Sequence, residues 1–269
     1  MGTHFEIVLP GTDRRRLTAA AEEAAVAIED CHHQFTRFEA SGLLGHLQRV
    51  APAPVPVTTE DEAVFAAAER IRVASGGAFD PAMGRVPDGG YRLDQDDHTV
   101  AVPNAEIRLD FGAIGKGFAV DRAIERLREA EITAGFVHGG TSSARGFGAR
   151  AGDDGYSLEG SGGPVARRAG WRVALTNGPV VTLRNQALSV SSTIATRNGE
   201  PAWHLLDPRT GLTITLRRRA AVLGPSAGWA DGWSTAVLVA GARPAAMGSE
   251  WTVWVEEDGG PWQTIETAQ

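Results

Sequence analysis

The sequence predicts an α+β protein in which mixed or antiparallel sheets are flanked by helices, and three observations carry that prediction. Long helical patterns are concentrated in the first half, short strand-like runs dominate the second, and strands there mostly follow strands. A doubly wound parallel sheet would instead alternate strands steadily with helices. With 42% hydrophobic and 22% charged residues in 269, the composition is that of an ordinary globular protein. The length suffices for one large domain or for two interleaved lobes.

In chain order, residues 5–9 read as a strand, and an alanine-rich helix follows over about Asp13–Phe38. Pro52, Pro54 and Pro56 break the next segment. A second helix spans about Glu60–Ser75, with Thr59 as its cap. A polar, looped region extends from Gly76 to about Asp97, followed by short strands at Thr99–Val102 and Glu106–Asp110. Val120, Ile124 and Leu127 share one face of a helix over Ile114–Ala130. Strands then follow at Ala134–His138, Trp171–Leu175, Ala187–Val190, His204–Leu206, Ala220–Leu223, Thr252–Val255 and Trp262–Ile265, interrupted by a helix at Ala230–Gly241. The glycine-rich stretch Ala149–Gly163 reads as a flexible loop or hairpin tip.

A formal net charge of −7 leaves no basic stripe to neutralise a nucleic-acid backbone. Cys31 is the only cysteine, which excludes an internal disulfide and a thiolate-rich metal site. No apolar run is long enough to span a membrane. No leader precedes Met1 as the chain is written, so a cytoplasmic protein is expected, or an exported one if a leader has been removed.

Lys116 is the only lysine among 26 Lys+Arg residues, and it lies between Gly115 and Gly117. An ammonium is a compact, rotatable point charge, unlike the planar guanidinium used elsewhere in this chain. Gly112, Gly115 and Gly117 allow a ligand to approach the backbone at the start of a helix, which suggests an anion site; a tight strand–helix turn explains the glycines equally well. The surrounding residues are not a P-loop, because neither Ser nor Thr follows the lysine. Gly146–Gly152 likewise lacks the spacing of a dinucleotide fingerprint.

Three further patches carry candidate chemistry. Asp231 and Thr235 lie four apart, so on a helix they share a face and offer a hard cation two oxygen donors, or else they cap the helix start. His204 and Asp207, in His-Leu-Leu-Asp-Pro-Arg-Thr-Gly, form a possible general base with a carboxylate beside it, or a structural histidine next to a turn. Phe79 and Asp80 sit in Gly-Gly-Ala-Phe-Asp-Pro, whose Asp-Pro pair also suits a turn.

Taken together and in this order, these motifs resemble the FAD:protein FMN transferases of the ApbE type. The resemblance runs from Met1-Gly-Thr and Phe35-Thr-Arg-Phe38 through Leu109–Asp121 and Gly139-Gly140 to Ala230-Asp-Gly-Trp-Ser-Thr-Ala236. It implies a single ApbE-like domain over residues 1–269. It also implies Mg²⁺-dependent transfer of the FMN part of FAD to a Ser or Thr hydroxyl of an acceptor flavoprotein, with release of AMP. The metal would be held by the Ala113 carbonyl, Asp231 and Thr235. Lys116 and Asp121 would lie along the FAD, with Met1, Phe38, Phe79 and Asp80 near its flavin or adenine ends. His204 would activate the incoming hydroxyl and Asp207 would orient it, with His138 a less favoured base. An FAD pyrophosphatase and a non-catalytic FAD-binding protein are the alternatives.

Three departures from the family pattern stand out. Thr141 replaces the usual aspartate after the glycine pair, Phe38 the usual tyrosine, and the stretch from Gly84 to Val100 is short.

Overall fold

The computed structural model describes residues 3–86, 88–148, 170–197, 200–203 and 205–266. The glycine-rich stretch Ala149–Gly163, read above as a loop, lies outside the described residues.

The fold is α+β, as expected. Its centre is a seven-stranded antiparallel sheet built from β1 (Phe5–Val8), β5 (Gly135–Gly139), β6 (Ser143–Phe147), β9 (Gln186–Ser192), β12 (Arg218–Gly224), β13 (Thr252–Glu257) and β14 (Gln263–Thr264), in that spatial order. Two helices, α4 (Gly115–Glu129) and α5 (Ala227–Ala240), pack against one face of this sheet. Outside them lie α1 (Arg14–Phe35), against α4, and α3 (Thr59–Ala74), against α5. A small sheet of β2 (Val55–Pro56), β3 (Arg92–Asp94) and β4 (Thr99–Ala101) lies beside α3. The opposite face of the main sheet is covered in part by the hairpin of β7 (Trp171–Ala174) and β8 (Val180–Leu183). A separate hairpin joins β10 (Ile194–Arg197) to β11 (Glu200–Trp203).

Strand alternation divides the sheet residues between two cores. Val137, Ala187, Ala220 and Val222 join the helix-side core, while Phe136, Leu188, Ala221 and Leu223 join the smaller core under the β7–β8 hairpin. Phe35, Phe65, Tyr91 and Phe111 form the centre of the larger core, with ring centroids 4.9–6.2 Å apart. Cys31 is fully buried there, and loss of solvation pushes its thiol up to about 12, so it stays protonated.

The helix expected at Asp13–Phe38 ends at Phe35, where Thr36 turns extended and its N–H donates to the His32 carbonyl. Thr58, not Thr59, caps α3 by accepting the Asp61 N–H at 3.1 Å. The expected strand at Glu106–Asp110 is a loop, in which Asn104 Oδ1 accepts the Glu106 N–H and Pro81 O the Asp110 N–H. Of the strand expected over His204–Leu206, His204 lies outside the described residues, Leu205 is in no strand, and Leu206 makes an isolated bridge to Thr213. Sequence reading missed α2 (Leu43–Val50), a short helix that buries Leu43, Leu44 and Leu47.

The start of α4 crosses the start of α5 at backbone contact. A Cβ on Gly117 would overlap the Ala227 carbonyl, and one on Gly228 the Phe118 ring. Overpacking of this kind costs about 1–3 kcal/mol or more. Gly117→Ala is therefore expected to lose at least about 1–3 kcal/mol in urea unfolding, with the m-value unchanged.

Candidate active site

Two aspartates hold that helix crossing from opposite sides. Asp121, on α4, accepts the Ala227 and Gly228 N–H groups of α5 at 2.9 Å each and the Ser226 hydroxyl at 2.6 Å. It also pairs with Arg145 Nη1 at 2.5 Å. Asp231, on α5, accepts the Gly117 N–H of α4 through Oδ2 at 3.1 Å. Each carboxylate thus caps the other helix, where exposed N–H groups and the positive end of the dipole favour negative charge. The anion site expected at the start of α4 is in part filled from within, by Asp231.

Their surroundings then diverge. Asp121 is 6% exposed and is not among the residues lining the cavity onto which Asp231 opens; its oxygens are taken up by α5 and Arg145. Asp231 opens onto a cavity of about 540 Å³ between the central sheet, α4 and α5. Its Oδ1 accepts hydroxyl hydrogens from Ser143 and Ser189, each at 3.1 Å, which orient the carboxylate from the sheet side. Asp231 does not cap its own helix. Ser226 does, accepting the Trp229 N–H, and Asp231 lies beyond the first turn.

Phe79, Asp80, Ala113, Lys116, Asp231 and Thr235 all line this cavity. Residues far apart in sequence are brought together by loop packing. Gly84 (φ +68°) lies so close to Pro208 that a side chain would overlap its carbonyl, which joins the Phe79–Asp80 loop to the turn at Asp207. Asp80 accepts the Ala82 and Gly84 N–H groups at 2.8 and 2.9 Å, so it also shapes its own turn.

The lysine ammonium donates to the Gly112 carbonyl at 3.0 Å and stands 3.6 Å from Asp231 Oδ2. A cation is therefore already held between a carbonyl and a buried carboxylate, with the Ala113 backbone and the Thr235 hydroxyl on the same cavity wall. This donor set fits a hard divalent ion that keeps water or ligand oxygens in its remaining positions. Among the described residues no group of three or more His, Cys, Asp or Glu side chains could hold a metal by themselves.

Other predicted residues fall elsewhere. Phe38 is 82% exposed, with the Arg37 guanidinium 4.7 Å over its ring, and lines an adjoining cavity of about 250 Å³. Met1 and His204 lie outside the described residues. Asp207 is at a turn, and both its oxygens receive Arg209, at 2.9 and 2.7 Å. It is therefore clasped by an arginine, and its neighbours Leu206 and Pro208 line the cavity instead. The Arg209 hydrogen bonds hold the Asp207 pKa below the usual carboxylate value. Because the folded value is depressed, the clasp's contribution to stability is present above the unfolded pKa of about 3.9 and is lost as pH falls through the lower folded value. Arg209→Ala is expected to raise the Asp207 pKa towards about 3.9, read by carboxyl NMR titration.

Sequence reading passed over several lining residues. Asp110 accepts the Gly112 N–H at 2.8 Å and pairs with Arg37 Nε at 3.3 Å. Ser191 donates or accepts with Ser234 at 2.7 Å and reaches Thr235 at 3.3 Å. Asp110 stands inside the quoted motif and was findable there. In β9, Ser189 and Ser191 alternate with Leu188 and Val190, so nothing local separates them from a strand's solvent face.

The fold and site together define an α+β protein with reciprocally capped helices and a cavity lined by a buried carboxylate, a hydroxyl and a lysine. The ApbE family model matches residues 1–253, and the chain belongs to the ApbE family. It is 27% identical to an FAD:protein FMN transferase of Klebsiella pneumoniae over 217 residues, 76% of this chain and 54% of that protein. A Salmonella typhimurium protein of the same name is 23% identical over 91% of this chain and 78% of its own. The match thus spans about half of the first relative and more of the second. Among solved structures, the apo flavinyl transferase ApbE of Pseudomonas stutzeri superposes with a TM-score of 0.76 at 20% identity, covering 99% of this chain and 92% of that one. The Thermotoga maritima ApbE protein gives 0.74 at 18% identity, covering 98% and 97%. At these identities the structural likeness speaks for the fold.

Proposed function

We propose that this chain is a Mg²⁺-dependent FAD:protein FMN transferase, moving the FMN part of FAD to a Ser or Thr hydroxyl of an acceptor flavoprotein and releasing AMP. The observation that carries the reading is the convergence of Ala113, Lys116, Asp231 and Thr235 with Phe79 and Asp80 on one cavity, from three separate motifs. The family relatives that bear this name support it.

When bound, the metal neutralises charge that builds on the diphosphate oxygens. The chain's own residues do the rest. Asp231 and Thr235 supply oxygen ligands, and Ser143 and Ser189 keep the Asp231 carboxylate turned for that role. Lys116 supplies a mobile positive charge for a phosphate. His204 takes the proton of the acceptor hydroxyl as its oxygen bonds to the FMN phosphorus and the bond to the AMP phosphate breaks. A general base in this role contributes about 10²–10⁴-fold.

The test is AMP release from FAD and Mg²⁺, with and without an acceptor domain carrying a Ser or Thr site, followed by acceptor mass. An acceptor heavier by one FMN unit is expected. AMP formed equally without acceptor would replace the reading with an FAD pyrophosphatase, and FAD bound without AMP would leave a non-catalytic binder.

A further inference from the structure

We propose that Lys116 is the resident counter-ion of the cation site, and that a divalent cation arriving at Asp231 displaces its ammonium into the cavity. The proposal rests on the transferase reading for the site's divalent cation and for the diphosphate that the freed ammonium then meets.

Asp231 is 2% exposed, and a carboxylate so buried needs compensating partners. Its three hydrogen-bond donors among the described residues, Ser143 Oγ, Ser189 Oγ and Gly117 N–H, are neutral and belong to the sheet and to helix backbone. Among the described residues its one charged partner is Lys116, whose ammonium stands 3.6 Å from Oδ2. A divalent ion binding that oxygen would stand within a few ångströms of the ammonium, where like charges repel strongly even at the screening typical of protein surfaces.

One of the two must leave, and the geometry points to the lysine. Asp231 is fixed in the body of α5 and clasped through Oδ1 by two serines on adjacent strands. Lys116 instead projects on a flexible four-carbon stem with 22% of its side chain exposed, lines the cavity, and among the described residues is held elsewhere only by the Gly112 carbonyl. Gly115 and Gly117 on either side are buried backbone, so the movement is confined to the side chain. Displacement places a second positive charge in the cavity just when the first arrives. Cation and diphosphate binding then strengthen one another, and by linkage the effect is reciprocal.

Two experiments on the full chain without FAD test this. Calorimetric titration with Mg²⁺ should show Lys116→Met binding about tenfold or more tightly than the natural chain, because the competitor is gone. A lysine that merely supported the site would give the opposite sign. The second keeps the natural chain and so does not depend on the variant folding. Lys116 is the only lysine, so its acylation by an amine-reactive ester can be read by peptide mass, with the N-terminal amine as reference. Mg²⁺ should raise labelling several-fold at fixed pH. Unchanged labelling, or equal or weaker Mg²⁺ binding by a folded Lys116→Met, overturns the proposal. A natural chain that binds no Mg²⁺ overturns it together with the metal-dependent reading. One that binds Mg²⁺ and flavinylates an acceptor, yet shows no competition, overturns this inference alone.

Discussion

Asp231→Asn is expected to lower Mg²⁺-dependent AMP release by at least about 10²-fold, as loss of several kcal/mol of metal-borne charge stabilisation implies. The amide nearly matches the carboxylate in shape, so the cavity should survive. Its charge does not survive, and neither does its acceptor geometry. Asp231 receives hydrogens on both oxygens, from Ser143 and Ser189 on Oδ1 and from Gly117 N–H on Oδ2. An amide NH₂ on the Oδ2 side would confront the Gly117 N–H, on the Oδ1 side it would force the serine hydroxyls to turn and accept, and either way Lys116 would lose its charged counter-ion. The decisive readout is the Mg²⁺ dependence of the rate alongside the far-UV spectrum. A folded Asp231→Asn chain with the rate and Mg²⁺ dependence of the natural one would remove Asp231 from the site.

Asp121→Ala is expected to act on stability. Its carboxylate unites the Ser226 hydroxyl, the first two N–H groups of α5 and Arg145, whose side chain is 12% exposed. Removing one partner of a buried ion pair costs about 3–5 kcal/mol, because the other charge is left without compensation. For a chain of this size that corresponds to a fall in Tm of about 6–20 °C. FAD affinity, measured on whatever fraction remains folded at low temperature, should hold near that of the natural chain. A variant with unchanged Tm and weakened FAD binding would place Asp121 along the ligand instead.

Much of the fold was legible locally. α1, α3, α4 and α5 have apolar spacing that survives folding, and their ends moved by only a few residues, at Thr36, Thr58 and Ala227. The strands β12 and β13 were found because their central residues are buried on both faces and so read as short apolar runs, and β9 through its alternation of Leu188 and Val190 with serines. Where reading failed, the cause was length or competition. α2 has only eight residues and starts at Gly42, between two loops. β6 (Ser143-Ala-Arg-Gly-Phe147) carries serine, arginine and glycine in a strand whose partners, β5 and β9, supply its stability.

The candidate site divides along the same line. Read alone, the sequence determined the family motif around Lys116 and the four-residue spacing of Asp231 and Thr235, since composition and spacing are local properties. It could not tell Asp121 from Asp231. Both are helical aspartates inside motifs, and both were read as site residues. Tertiary structure alone tied Asp121 into the helix crossing and brought Asp231 to the wall of a cavity. The physical reason is that a carboxylate's role is set by its hydrogen-bond donors. Those of Asp121 lie 24, 105, 106 and 107 residues away, and those of Asp231 lie 42, 88 and 114 away, at separations that no local periodicity encodes.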